Sequence, residues 1–298
     1  MNYDMAEVDL TTAGGEAKVL IAGDWHGSRD WLRSVFLSAI ENDTTGIRTI
    51  LHLGDFGIWG ERDRGFLEAA DYLCEKIGIE RILVTPGNHE DWRILDAGFE
   101  TLPEAPVPLS ASVLALPRGF RFTLGGRSFM SFGGAASIDY QQRLEGFDWF
   151  KSEMATEAEA EAAAASGDVD VLLLHEAING GTGAVEEVIV RNPMGWPAEA
   201  LAYSAESRAQ VTRVWEGTRP KLTFHGHMHN PDEVTLPSGQ RVRSLGCDNQ
   251  AGNIGELNLQ DLSWRELQVT FVSARPRRTL NVEKLYLDRP GSESEESN

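Results

Sequence analysis

Apolar and polar residues follow one another in this chain in two rhythms, and the change between them organises the fold. Three short apolar runs ending at glycine, AKVLIAG (17–23), RTILHLG (48–54) and ERILVTPG (80–87), read as buried strands. Between the first two, residues 30–41 place Trp31, Val35 and Leu37 or Ser38 at near-helical spacing, and a second helix is predicted over 63–77. Strand, helix, strand, helix, strand implies parallel pairing through crossover helices. After residue 105 the segments SVLALP, FRFTLGG and RSFMSFGG are short β runs joined by Gly and Pro, as in a meander. An Ala- and Glu-rich stretch, 152–165, predicts an exposed helix, and DVDVLLLH (168–175) returns to a buried strand. A helix over about 199–216 and the strand KLTFHGH lead into DEVTLP, QRVRSLG, GELNLQ and WRELQVTFV. The fold class is therefore α/β, with two stacked mixed β-sheets flanked by helices. It occupies one domain over 17–272, after a loose lead of residues 1–16 and before a C-terminal arm, 273–298, whose acidic, Ser-rich tail is expected to be disordered.

Charge narrows the partners. A net charge of −19 argues against a sequence-blind grip on duplex DNA or anionic lipid, which needs a basic surface. The one basic cluster, Arg275, Arg277 and Arg278, reads as a solvated arm. No apolar run is long enough to span a membrane, and the first residues lack the basic start and apolar stretch of a secretory signal. Only two cysteines, Cys74 and Cys247, occur, far apart and outside any CxxC pattern, which suits a cytoplasmic location.

Chemistry concentrates where strands end. Gly23-Asp24-Trp25-His26, Gly54-Asp55, Gly87-Asn88-His89-Glu90, His175 and Gly226-His227-Met228-His229 each close an apolar run. In a parallel sheet the carboxyl ends of strands share one edge, so these groups are expected to converge. The glycines allow sharp turns and leave room at that edge. Asp24 and His26, like His227 and His229, are two apart, and in extended chain such residues face one side. Mixed carboxylate and imidazole ligation suits Mn, Fe or Zn. Asp55 is the natural carboxylate to stand between two ions about 3.5–4 Å apart, a spacing suited to in-line phosphoryl displacement.

GDWHG, GDFG, GNHE, a strand-end His and GHMH, in that order over roughly residues 17–260, resemble the signature of the calcineurin-like metallophosphoesterase superfamily, in its bacterial and phage form. The resemblance implies a phosphate mono- or diesterase with two divalent metal ions, Mn favoured, that activate hydroxide. Asp24, His26, Asp55 and His229 would hold one ion, and Asp55, Asn88, His175 and His227 the other. His89 would contact the phosphate and help the leaving oxygen depart, with its neighbour Glu90 either orienting it or standing further out. The substrate is expected to be a small phosphoester or nucleotide. A nuclease for single strands or ends, or a non-catalytic module that kept the fold, are the alternatives, although all seven ligand positions are filled. Residues 133–153, GGAASIDYQQRLEGFDWFKSE, and the later SLGCDNQ resemble softer patterns of the same group.

The second motif departs from the family pattern, carrying Ile58 where a charged residue is common, so an outer hydrogen-bond partner is expected to be missing. No proline follows His175 either. His52 is expected to pack structurally. His225 shares parity with His227 and His229 but is left out of the ligand set. Arg143 is read as an ion-pair partner or a phosphate contact, Trp25 and Trp59 as core or as stacking surfaces for a base, and the Gly-bearing stretch 176–197 as pocket lining or plain connection.

Overall fold

The computed structural model describes residues 8–60 and 64–271 of the 298. In its first half β1 (Val8–Asp9), β2 (Lys18–Ala22), α1 (Arg29–Glu41), β3 (Thr49–His52), α2 (Arg64–Ile77), β4 (Arg81–Val84) and α3 (Trp92–Thr101) follow one another. Short strands β5 (Val107–Pro108), β6 (Val113–Ala115), β7 (Phe120–Leu124) and β8 (Arg127–Phe132) come next. The second half runs α4 (Glu157–Ala164), β9 (Val171–Leu174), α5 (Gly183–Arg191), α6 (Ala198–Thr218) and β10 (Leu222–His225), and then β11 (Asp232–Thr235), β12 (Arg241–Ser244), β13 (Ile254–Asn258) and β14 (Trp264–Glu266).

Two seven-stranded sheets result, in the orders β14-β13-β2-β3-β4-β6-β5 and β1-β7-β8-β9-β10-β12-β11. In the first, β2, β3, β4 and β6 are parallel neighbours, with antiparallel β13 and β5 beside them. In the second, β8, β9, β10 and β12 are parallel, flanked by antiparallel β7 and β11. Side chains alternate across each strand, so every buried strand feeds two layers. Val19 and Ile21 of β2 join Phe122, Phe129, Leu173 and Phe224 of the other sheet in the layer between the sheets. Leu20 and Ala22 face the other way, into the cluster with Trp31, Val35 and Phe66 of α1 and α2. Met130, Leu172 and Leu174 pack outward against Ala160, Val211 and Val214 of α4 and α6. The order of layers is thus helix, sheet, sheet, helix, the expected architecture.

Three local expectations are corrected. The lead is not wholly loose, because Val8 and Asp9 pair in parallel with Phe122 and Thr123. The Ala-rich helix is shorter, starting at a Thr156 cap closed reciprocally by Glu159, and its Ala160 and Ala163 are buried against α6. A Cβ on Gly217 of α6 would lie 2.4 Å from the Ala164 carbonyl, so small residues let these helices approach closely. Two helices, α3 and α5, stand where none was read. The arm 273–298, with Arg275, Arg277 and Arg278, lies outside the described residues.

Candidate metal centre

The groups from both sheets meet at one edge of the sandwich. Asp24, Asp55 and Asn88 follow β2, β3 and β4 of the first sheet, whereas His175 follows β9 and His227 and His229 follow β10 of the second. The convergence expected within a single sheet is therefore one between two sheets. The His175 Nδ1 donates to the Leu53 carbonyl at 2.6 Å, and the His227 backbone N–H points at Asp24 Oδ2 at 3.2 Å. The spacing-of-two argument does not explain the histidines. His26, His227 and His229 sit at φ +46°, +64° and +53°, and Asp55 at +49°, all left-handed rather than extended. Such backbone costs roughly 1–3 kcal/mol per non-glycine residue and persists only where surroundings enforce it.

Those surroundings are largely backbone. Trp25 and His26 both donate their N–H to the Asp55 carbonyl, at 3.1 and 2.7 Å, and Gly27 donates to that of Phe56 at 2.9 Å. The loops after β2 and β3 are thus zipped together, and Ser28 caps α1 directly behind them. Gly87 and Gly226 leave room for the carboxylates of Asp55 and Asp24. A Cβ on Gly226 would lie 2.1 Å from Asp24 Oδ1.

Asp24, His26, Asp55 and His229 offer ligand atoms that all lie within 4.8 Å of one another. His229 Nε2 is 2.9 Å from Asp24 Oδ2, and His26 Nε2 is 3.5 Å from Asp55 Oδ2. The other Asp55 oxygen faces the remaining residues: Oδ1 is 3.4 Å from His175 Nε2, which lies 3.0 Å from Asn88 Oδ1. His227 lies beside His175, the rings tilted with centroids 5.0 Å apart. Imidazole and carboxylate donors in this density fit a borderline divalent cation.

Around this set stand residues that the sequence did not single out. Asp248 Oδ1 holds His26 Nδ1 at 2.8 Å, the carboxylate–histidine pairing that fixes ring orientation in metal sites. Buried Asn253 accepts from the indole N–H of Trp25 and Trp31 through Oδ1, and donates to the Asp24 and Gly246 carbonyls through Nδ2. Asp248 belongs to the quoted SLGCDNQ pattern, but nothing in its spacing linked it to His26. Trp25 is accordingly core, and so is His52, whose ring packs edge-on against Trp25 and Phe56.

Glu90 does not orient His89. Its buried carboxylate accepts from the backbone N–H of Phe56, Gly57 and Ile58 at 2.7, 3.2 and 2.7 Å. The outer support expected to be missing at Ile58 therefore comes from Glu90, while Ile58 itself joins the core. His89 is pinned through its own backbone: its N–H donates to Asp55 Oδ1 at 2.8 Å, and its carbonyl accepts from the Trp59 indole at 2.9 Å.

Two acids make the centre a strong attractor of positive charge. Burial alone would depress His26, but hydrogen bonds to Asp248 and Asp55, with the charges of Asp55 and Asp24, raise it to about 11. Against the same burial, the charges of Asp55 and Asp24 raise His175 to about 9, and bonding to Asp24 and Cys247 raises His229 to about 10. Burial instead pushes His89 down, Arg143 and His26 adding to it, and sets His225 at about 4. Folded values above the ordinary 6.5 stabilise the fold fully below that value, and the stabilisation is lost as pH rises through about 9 to 11. Protein stripped of ions in chelator is therefore expected to lose melting temperature from about pH 6.5 upward, the loss levelling off above the raised folded values. Scanning calorimetry checks this, and a melting temperature that is level or rising across that range would show the sign to be wrong.

A pocket of about 440 Å3 adjoins the centre, lined by His26, His89, Trp59, Arg143, Phe147 and Phe150 among others. Arg143 is an ion-pair partner: its fork grips Asp139 at 2.6 and 2.8 Å, and the side chain borders the pocket. The stretch 176–197 does not line this pocket; it carries α5, with Val190 exposed on that helix and Met194 exposed after it.

Three solved structures resemble the chain. A dimetal phosphatase from Danio rerio superposes with a TM-score of 0.51 at 12% identity, covering 86% of this chain and 99% of that one. A purple acid phosphatase from yellow lupin (Lupinus luteus) seeds gives 0.47 at 14% identity over 85% of this chain and 52% of that chain. A phosphopantetheinyl hydrolase from Mycobacterium tuberculosis gives 0.43 at 13% identity over 80% and 95%. No curated protein matches the chain by sequence. The sequence does match, over residues 17–231, the family model described as calcineurin-like phosphoesterase. With that match spanning most of the chain, and with the layered sheets beneath it, the protein belongs to the calcineurin-like phosphoesterase family.

Proposed function

We propose that the protein hydrolyses small phosphoesters bearing an aromatic group, using two divalent cations. Asp24, His26, Asp55 and His229 would hold one, and Asp55, Asn88, His175 and His227 the other. The observation that carries this reading is the Asp55 carboxylate, which faces His26 with one oxygen and His175 with the other. Bound cations supply charge for the phosphoryl oxygens and lower the pKa of water. The chain's own groups do the rest. Neutral His89, with its pKa depressed, offers one ring N–H toward the pocket it lines. Arg143 keeps N–H groups beyond those its Asp139 fork uses, and guanidinium matches phosphate geometry. Trp59, Phe147 and Phe150 make an apolar wall beside these polar groups, suited to a flat ring. The net charge of −19 supports a small ester over duplex nucleic acid.

With Mn supplied, benzyl phosphate is expected to turn over, with kcat/KM at least about tenfold above that of glycerol phosphate, whose leaving alcohol is similarly basic, worth about 1.4 kcal/mol of aromatic contact. Chelation is expected to abolish both activities. Turnover that survives exhaustive chelation would sink the metal reading, and equal rates for both esters would sink the aromatic one.

A further inference from the structure

The 133–153 segment, whose sequence pattern carried no role, encloses a buried acid. Glu153 is fully buried and faces donors only: the Ser137 N–H at 2.6 Å, the Trp149 indole at 2.9 Å and the Tyr203 hydroxyl at 3.4 Å on Oε1, and the Ser137 hydroxyl at 2.9 Å on Oε2. An ionised carboxylate only accepts, so the Ser137 hydroxyl must spend its single proton on Glu153. The Ser137 oxygen is then left as an acceptor, and its remaining neighbour is Asn88 Nδ2 at 3.0 Å. An amide presents a donor on one side and an acceptor on the other. Fixing Asn88 Nδ2 on Ser137 therefore turns Asn88 Oδ1 toward His175, where it lies 3.0 Å from Nε2.

We propose that Ser137 and Glu153 are positioning residues whose one-way hydrogen-bond chain keeps the Asn88 carbonyl oxygen turned toward the cation site it shares with Asp55, His175 and His227. Neither residue is a proposed ligand, Ser137 reaching the site only through Asn88, and the inference rests on the two-ion reading above. Without the chain the Asn88 amide is free to flip, and its NH2 group would then face a cation it cannot ligate. Glu153→Gln preserves shape but reverses polarity: the new amide donates to the Ser137 oxygen, whose proton is released toward Asn88. Ser137→Ala removes the link, and Ser137→Thr restores the hydroxyl.

Burial raises the Glu153 carboxyl to about 8, so Mn titrations are run above that value, where the accepting form prevails. Calorimetric titration and elemental analysis count ions per chain, and circular dichroism follows melting. The wild type and Ser137→Thr are expected to take up two ions. Glu153→Gln and Ser137→Ala are expected to take up one with unchanged affinity and lose about ten- to a hundredfold in affinity for the other, in line with losses of outer partners at metal sites. Two ions at wild-type affinity in both variants overturn the proposal. Equal loss of both ions with a lowered melting temperature also overturns it, since that marks a merely structural role. A wild-type chain that binds fewer than two ions instead overturns the two-ion reading itself.

Discussion

Replacing Asp55 with Asn is expected to lower kcat/KM for p-nitrophenyl phosphate by at least about a thousandfold, or about 4 kcal/mol of transition-state stabilisation. The change is nearly isosteric, so packing is preserved and electrostatics carries the effect. Oδ1 accepts the His89 backbone N–H at 2.8 Å and lies 3.4 Å from His175 Nε2, and Oδ2 lies 3.5 Å from His26 Nε2. Asparagine has one accepting oxygen, so its NH2 must face a donor or a cation on one side. It also removes the negative charge that helps hold His175 and His26 in their raised state. Metal uptake is expected to fall along with rate, as elemental analysis would read. A variant within about tenfold of wild type would rule out Asp55 as the shared carboxylate.

Gly87→Ala is expected to be almost as damaging although it removes no chemical group. A Cβ there would lie 2.2 Å from Asp55 Oδ1, 2.3 Å from the Asp55 backbone nitrogen and 2.9 Å from His175 Nε2. Two of these neighbours are a backbone atom and a carboxylate pinned by hydrogen bonds, so neither yields cheaply. Overpacking of this kind costs typically about 1–3 kcal/mol of stability. The larger loss falls on activity, because Asp55 itself must move; at least about a hundredfold is expected, by analogy with misplacement of catalytic groups. Gly126→Ala is the comparison: nothing lies within 4 Å of its Cβ, and its φ of +78° predicts only backbone strain. Thermal melts and ion counts on both variants test the contrast, which fails if Gly87→Ala retains wild-type turnover.

The sheets and the meeting of the candidate ligands at one edge were legible for one reason. A strand buried on both faces leaves a continuous apolar run, and a sharp stop at Gly-Asp, Gly-Asn or Gly-His announces the edge where it ends. Elements with little apolar signature escaped. In α5 only Val185 is buried, so its surface pattern reads as loop. In α3 the first half is apolar, but Gly98 interrupts it, and that glycine is needed because a Cβ would strike Val107 at 2.7 Å. The two-residue strand β1 is defined by pairing with β7 alone. The supporting shell escaped for a different reason. Asp248 reaches His26 across 222 positions and Asn253 reaches Asp24 across 229, and no local periodicity encodes such contacts. Glu90 was noticed for its neighbour His89, yet its side chain bonds 32 to 34 positions back along the chain.

Because four of the proposed ligands come from one sheet and three from the other, each cation would also be a clasp. Asp55 tethers the first sheet, while His229 on one side and His175 with His227 on the other tether the second. Hydrogen bonds such as those from His175 to the Leu53 carbonyl and from the Gly134 N–H to the Pro86 carbonyl already join the sheets at that edge, and ion loading would add to them in opposing any sliding of one sheet over its partner. Ligands that bind only the native state raise its stability by mass action. Here that gain would be delivered at the seam, coupling catalytic competence to the cohesion of the two halves.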